Sequence, residues 1–251
     1  MADLIGKLGD ALTAMGELVV PRLCFVCQVP LDDGRELLLC DDCQAALTNS
    51  RGIACSACGA WRDPRHRAGD CACCRHLDTG ADSVCSLGNY TGLLRELVLR
   101  MKTRGQETLA IQLGRWLGIR LRQAGGPLPE MIVPLPAWWL RRMQRGYNVA
   151  ELLSDGVAAV LPDRVPCVQA LRLARPVKKQ AMLTTRQRYA NVKNCFSIRE
   201  APVIASKQLL LVDDVMTSGA TASQAIRTLR RAGAASVCLA VVARGVGRQT
   251  D

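Results

Sequence analysis

The residues best suited to chemistry stand near the end of the chain, where an apolar run, Leu209-Leu-Leu-Val212, leads into two adjacent carboxylates, Asp213 and Asp214. The string continues Val-Met-Thr217-Ser218-Gly219-Ala220-Thr221. A buried strand would carry both carboxylates to its C-terminal edge, where open α/β sheets bind their ligands. The turn that follows has Gly219 for tight backbone geometry, three hydroxyls, and a run of amide N–H groups leading into a helix. Together these are the parts of a phosphate cradle. The string lacks Gly-Lys-Ser/Thr, so it is not a Walker A loop. Neighbouring carboxylates suit a ribose diol, or a Mg²⁺ ion held with it, because they accept hydrogen bonds from two adjacent hydroxyls. The plainer alternative is a strand–turn–helix corner whose Asp only caps the helix.

A second chemical pattern lies earlier. Cys24-x2-Cys27, twelve residues and Cys40-x2-Cys43 are followed by Cys55-x2-Cys58, twelve residues and Cys71-x2-Cys74, so four cysteines recur at an offset of 31. Each C-x2-C places two thiolates on one tight knuckle, and two knuckles give the four soft ligands that tetrahedral Zn²⁺ prefers. One or two structural zinc ions are expected, from successive or interleaved pairs. An iron–sulfur cluster is the other metal such thiolates suit, and redox C-x-x-C chemistry fits the regular spacing less well. Cys73 and Cys85 read as non-ligands. His66 and His76 are the only histidines, and His76 could replace a missing ligand. Residues 86–251 have none, which excludes Ser-His-Asp hydrolysis and HExxH metalloprotease chemistry there unless the Cys-rich module supplies the group.

The elements that must position these residues follow from charge and periodicity. Residues 1–85 carry a balance of −4 and ten of the thirteen cysteines, and residues 86–251 a balance of +15. Three segments are therefore expected: an amphipathic helix within 1–20, with Leu4, Leu8, Leu12, Met15 and Leu18 on one face, a Cys-rich module over 21–85, and an α/β domain over 86–251. Within the last, apolar spacing predicts helices over 93–101, 109–121, 149–161 and 221–231. Buried strands are predicted at 131–136, 208–212 and 236–242, and a long mobile loop or hairpin over 170–199. Strand–helix–strand alternation points to a mostly parallel sheet. A hydrophobic content of 49% excludes a disordered chain, and the longest apolar stretches, of ten residues, are too short for a membrane span. The start has no basic n-region, so a cytoplasmic location is expected.

Asp213-Asp214-Val-Met-Thr-Ser-Gly-Ala-Thr221 resembles the phosphoribosyl-pyrophosphate (PRPP) motif of type I phosphoribosyltransferases. With the eight knuckle cysteines, Ile132-Val-Pro-Leu-Pro136, Arg141-Arg-Met-Gln-Arg-Gly-Tyr-Asn148 and Gln180-x2-Leu183-x2-Arg186-x2-Tyr189-x-Asn191-Val192, it occurs in an order similar to that of the ComF family (competence protein F, also called GntX-like). The resemblance implies an α/β type I phosphoribosyltransferase fold with a central mostly parallel sheet, preceded by a small zinc-ribbon-like module. It implies that Asp213 and Asp214 hold the ribose hydroxyls, directly or through Mg²⁺, and that Thr217, Ser218, Gly219, Ala220 and Thr221 hold the 5′-phosphate. Pro134, Leu135 and Pro136 would lie on the pyrophosphate side, faced by Arg141, Arg142 and Arg145. Arg175 to Asn191 would form a hood whose anion ligands are Lys178, Lys179, Arg186 and Arg188. Tyr147 and Val149 depart from the Phe and Gln more usual in the family, and no catalytic cysteine follows Met1 as in amidophosphoribosyltransferases.

Three functions remain in view. The first is a PRPP-binding protein that assists uptake of single-stranded DNA in natural competence beside a helicase-like partner, as the resemblance implies. The second is an active phosphoribosyltransferase that moves ribose 5-phosphate from PRPP to a small acceptor, relying on Mg²⁺ and Arg/Lys rather than a nucleophile. The third is an assembly adaptor whose zinc module docks a partner. Between Arg141 and Arg199 there are 12 basic against 3 acidic residues, an electrostatic footprint for a polyanion. Trp138 and Trp139 beside them could stack exposed bases.

Overall fold

The computed structural model describes residues 22–246 apart from 33, 49–51, 64, 66–70, 75, 76, 78, 139–142, 144, 178–183 and 200. The helix expected within 1–20 lies outside the described residues. Among those described, no helix is long and apolar enough to cross a membrane. The chain divides into two compact units, 1–46 and 47–251.

The smaller unit is organised by its cysteines. Cys24 N–H donates to Val29 O and Gln28 N–H to Cys24 O, both at 2.9 Å, which closes the first knuckle, and Phe25 N–H reaches Leu38 O at 2.9 Å. Helix α1 (Asp41–Thr48) begins directly after Cys40 with Asp41 and Asp42 in its first turn, where carboxylates complement the helix dipole. Arg35 holds Asp41 through two N–O contacts of 2.9 Å. Phe25, Leu37 and Leu39 supply the buried apolar side chains beside Cys24 and Cys43.

The larger unit opens with β1 (Ile53–Ala54) and β2 (Trp61–Arg62), an antiparallel pair around the third C-x2-C. It continues through β3 (Val84–Asn89), α2 (Gly92–Arg100), α3 (Glu107–Gln123), β4 (Met131–Pro134), α4 (Val149–Ala158) and β5 (Leu171–Leu173). Next come α5 (Thr185–Val192), β6 (Phe196–Ile198), α6 (Ala201–Ile204), β7 (Gln208–Met216), α7 (Ala220–Arg231) and β8 (Ser236–Arg244). Strands β3, β8, β7 and β4 form one sheet in that order, every pairing parallel. The boundary that charge suggests at residue 85 falls inside β3.

Strands with both faces covered read as continuous apolar runs, and this explains why β7 and β8 lack polar alternation. Met131, Val133, Leu209, Leu211, Val237, Leu239 and Val241 share one core with Ala225, Ile226 and Leu229 of α7. The alternate residues Ile132, Leu210, Val212, Ala240 and Val242 are buried on the opposite face, where α3 and α4 pack. Those two helices touch backbone to backbone. A Cβ at Gly114 would lie 2.2 Å from Leu153 O, and one at Gly156 2.2 Å from Ile111 O. Gly114→Ala is therefore expected to force the helices apart and to cost about 3 kcal/mol or more. Chemical denaturation checks this against Gly126→Ala, whose Cβ would meet nothing within 4 Å.

The sequence-based boundaries shift at β7 and at α4. Strand β7 runs four residues beyond Val212, because β8 stays paired with it up to Met216↔Arg244. Helix α4 stops at Ala158, short of 161, since Leu161 precedes Pro162 and takes an extended conformation. Within 170–199 the hairpin alternative holds, with a helix in addition. Strands β5 and β6 pair antiparallel with Leu171 opposite Ile198, and α5 lies in their connection.

Candidate functional site

The site arises where two parallel strands end at different heights. Strand β4 ends at Pro134, which lies opposite Val212. Strand β7 continues for four residues with only β8 beside it. Asp213, Asp214 and Val215 consequently border open space on the β4 side, and that space is a cleft of about 220 Å³. Its walls include Leu135, Pro136, Trp138, Arg145 and Asn148 from the β4–α4 connection, with Leu173, Val177 and Phe196 opposite. A buried Asn148 joins these parts. Its Nδ2 donates to Leu135 O at 3.1 Å, and its Oδ1 accepts from Ala150 N at 3.2 Å, capping α4.

Asp213 and Asp214 line the same cleft, but the two carboxylates meet different neighbours. Lys102, in the turn after α2, places Nζ 2.7 Å from Asp214 Oδ2, with the two side chains 23% and 24% exposed. Tyr147 fixes that turn by donating its hydroxyl to Met101 O at 3.0 Å and Thr103 O at 2.5 Å. Burial works against ionisation of Asp214, but the Lys102 ammonium outweighs it, helped by Arg145, and holds the carboxyl below its usual range. Among the described residues no ion pair is made by Asp213, which feels Lys102 only at longer range. Burial first and the Asp214 charge second push it well above the usual range, so the negative charge is concentrated on Asp214. Lys102 was invisible as a site residue in the sequence, where Lys102-Thr103-Arg104-Gly105 reads as a solvated helix end.

Beyond the carboxylates the chain turns through Thr217 and Ser218 to Gly219, which sits at φ 72° and ψ −1° and opens α7. Glycine adopts this left-handed conformation without the steric cost that a Cβ brings. The space is also closed to a side chain, since a Cβ there would lie 2.6 Å from Leu77 Cδ1. Gly219 at the N-cap offers α7 no side-chain cap of its own. The first-turn amides and positive dipole end of α7 therefore suit an anion. Thr217 is exposed, Ser218 and Thr221 are half-buried, and Gly219 and Ala220 are buried.

Helix α5 rests on this turn. Arg188 Nη1 donates to Thr217 Oγ1 at 3.2 Å and Tyr189 Oη to Ser218 O at 3.0 Å. The helix has no apolar stripe for sequence periodicity to detect. It is started instead by a capping box, in which Thr184 and Gln187 each bond the other's backbone N–H. The structure thus brings together Asp213, Asp214, Thr217 to Thr221, Leu135, Pro136, Arg145 and Arg188, while Pro134 closes β4 at the edge. Arg186 is exposed on α5 and outside the lining of the cleft. Arg141, Arg142, Lys178, Lys179, Trp139, His66 and His76 lie outside the described residues.

The cysteines gather into successive rather than interleaved sets. The sulfurs of Cys24, Cys27, Cys40 and Cys43 lie within 4.8 Å of one another, as do those of Cys55, Cys58, Cys71 and Cys74. Four soft donors so placed fit a tetrahedral zinc ion. Within each set one thiol is prepared for ionisation. Burial raises Cys24 and Cys55, but backbone N–H groups of the knuckle turns overcome it and bring both down to about 7. Burial pushes Cys43 and Cys58 upward. Cys73 and Cys85 belong to neither set.

The phosphoribosyl transferase domain family matches residues 146–250. The DNA utilization protein YhgH of Escherichia coli O6:H1 (strain CFT073) is 30% identical over 224 residues, covering 88% of this chain and 96% of that protein. Competence protein F of Haemophilus influenzae (strain Rd) is 30% identical over 203 residues, covering 78% of this chain and 85% of that protein. The chain belongs to the ComF family. The domain match of this ComF-family chain takes in α4 to β8, and with them the carboxylate pair and the turn. The parallel four-stranded sheet is that of a type I phosphoribosyltransferase domain, and the two four-cysteine sets precede it or abut its first strand. Among solved structures, glutamine PRPP amidotransferase from B. subtilis, complexed with ADP and GMP, is similar at 20% identity and a TM-score of 0.36. That similarity covers 53% of this chain and 25% of that one.

Proposed function

We propose that the cleft binds PRPP or a related 5′-phosphoribosyl ligand with Mg²⁺, and that the protein serves in the handling of single-stranded DNA. The observation that carries the first part is the meeting, at one strand edge, of a carboxylate pair and a helix N-terminus whose N-cap glycine offers no side-chain cap. A 5′-phosphate would accept from the amides of residues 218–221, and a ribose diol would donate to Asp213 and Asp214. The pyrophosphate side would face Leu135, Pro136 and Arg145. When bound, Mg²⁺ supplies the charge that neutralises pyrophosphate oxygens. Arg188 and Tyr189, already bonded to the turn, would close α5 over the ligand and limit water.

Calorimetric titration with PRPP, with and without Mg²⁺, tests this reading, and absence of binding under both conditions removes it. Lys102→Met is expected to make binding depend more strongly on Mg²⁺, because Asp214 then lacks a resident cation. Equal dependence in the variant and the parent overturns that role for Lys102.

The DNA role is supported by the names of the relatives and by a second cleft of about 320 Å³. It shares Trp138 with the first and has Arg172 and Arg199 at its rim. A single strand following this basic face is expected to contribute about −0.7 per neutralised phosphate to the slope of log affinity against log salt. Changing Arg172 and Arg199 to Gln should flatten the slope. Replacing Trp138 should weaken binding by about 1–3 kcal/mol without changing it. Failure to bind oligonucleotides at low salt leaves the basic face to small phosphorylated ligands. A helicase-like partner belongs with the same reading. A second reading, transfer of ribose 5-phosphate, is favoured by the apolar wall of Trp138, Leu173, Val177 and Phe196 beside the carboxylates, where a flat acceptor would fit. Pyrophosphate release in the presence of such an acceptor distinguishes transfer from binding alone.

A further inference from the structure

The second four-cysteine group sits against the turn at the start of α7 and reaches it by two separate routes. The first is Arg244, the last residue of β8, which is only 4% exposed. Its Nε donates to Cys58 O at 3.1 Å, and its Nη1 donates to Met216 O at 3.0 Å and to the carbonyls of Thr217 and Gly245. A buried guanidinium is costly unless its donors are satisfied, and here one fork spans the metal knuckle and the first residues of the turn. The second route is Leu77. Its N–H donates to Cys74 O at 3.1 Å, and its Cδ1 lies over Gly219, so close that a Cβ would meet it at 2.6 Å. Leu77 and Val246 both pack against the Cys58, Ala60 and Cys71 cluster.

The far side of the knuckle is anchored. Ser86 Oγ donates to Gly59 O at 2.5 Å and Val84 N–H to Ser56 O at 2.7 Å. Asn89 exchanges bonds of 2.8 and 2.9 Å with the backbone of Trp61. The knuckle is thus held to β3 on one side and to the turn on the other. Its own geometry, by contrast, depends on what holds four sulfurs together, with those of Cys55 and Cys74 3.5 Å apart and those of Cys58 and Cys71 also 3.5 Å apart.

We infer that metal occupancy of Cys55, Cys58, Cys71 and Cys74 sets the shape of the 216–219 turn through Arg244 and Leu77, so that zinc binding and anion binding at the turn reinforce each other. The inference rests on the phosphate assignment proposed for this turn. Loss of the ion lets the Cys58 carbonyl and Leu77, bonded to Cys74 O, shift, which removes one acceptor from Arg244 and the packing over Gly219. Arg244 and Leu77 act as positioning residues. Coupling of this kind is reciprocal and typically amounts to about 5- to 150-fold in affinity.

The test uses the full chain carrying Cys24→Ser and Cys27→Ser, which restricts zinc to the second group. Zinc affinity is measured by competition with a chromogenic chelator, with and without saturating PRPP, and is expected to tighten at least about fivefold with PRPP. Arg244→Lys, which keeps the charge but loses the fork, and Leu77→Ala should shrink that factor while zinc remains bound. Amide exchange over 215–221, measured without any ligand, should rise on zinc removal while 208–212 stays protected. Unchanged exchange over 215–221 overturns the inference, and so does PRPP binding with unaltered zinc affinity. If PRPP does not bind the zinc-loaded chain while exchange still responds to zinc, the phosphoribosyl reading fails and the structural coupling stands.

Discussion

Asp213→Asn is expected to raise thermal stability at pH 7 and Asp214→Asn to lower it, although the residues are adjacent and chemically alike. The folded-state pKa of Asp213 is raised by burial and by the charge of Asp214. Its ionisation therefore opposes folding: the penalty is absent below the unfolded value of about 3.9 and grows as pH rises through the folded value, at about 1.4 kcal/mol for each unit separating them. Asparagine removes that penalty and keeps an oxygen for the Asp214 N–H, which Asp213 Oδ1 accepts at 2.8 Å. Asp214 has the opposite sign. Its folded-state pKa is held down by Lys102 against burial, so it contributes stability above about pH 4 that is lost as pH falls through the folded value. Asp214→Asn also leaves Lys102, 23% exposed, without its partner, at a cost of about 1–3 kcal/mol. In the double variant the two changes oppose each other and stability stays near that of the parent. Binding of the proposed ligand should nevertheless fall by about 3 kcal/mol or more, on the order of a hundredfold, because the Asp214 charge and two carboxyl acceptors for the diol are gone. Thermal melts between pH 4 and 8 with PRPP titration check both statements. A folded double variant with unaltered PRPP affinity defeats the site assignment, and melts of the two single variants that move together defeat the electrostatic account.

The contrast between these two carboxylates shows where sequence reading stops. The Asp213-Asp214 string, the glycine turn and the buried strand behind them depend on local order in the chain, and the start of β7 and helix α7 fall where periodicity and the glycine place them. Lys102 lies far away in sequence and reaches Asp214 only because the turn after α2 is pinned by Tyr147, a residue notable in the sequence only as a departure from the family pattern. Arg244 was likewise an ordinary basic residue after an apolar run. Its meaning comes from parallel pairing that sets Met216 opposite it. Helix α5 was missed for a different reason: a capping box and contacts with a loop, not an apolar face, stabilise it. The cysteine spacing could not choose between successive and interleaved sets, because either pairing satisfies two four-thiolate sites, and only the path of the chain decides between them.

Removing the metal is expected to have the largest effect on the protein. Elemental analysis should find close to two zinc ions per chain, because each of the two cysteine sets is complete. Structural zinc contributes roughly 10–16 kcal/mol in small fingers, a large term beside the burial of Phe25, Leu37 and Leu39 among the described residues of 22–46. Small cores of this kind draw on a metal for their stability. A strong chelator should therefore raise amide exchange throughout 22–46 while the central strands, with Leu209 to Val212, Val237 and Leu239 to Ala243 buried, keep their protection. The pH dependence follows from the thiols. Backbone donors bring Cys24 and Cys55 down to about 7, while burial holds protons on Cys43 and Cys58. Each site must then release protons on binding zinc. Apparent zinc affinity should accordingly rise between pH 6 and 8, by about tenfold per pH unit for each proton released, and proton release into a weak buffer should match. A shallow dependence would mean that the thiols are already ionised. An iron–sulfur absorption band in place of zinc would replace the closed structural sites with electron-carrying ones.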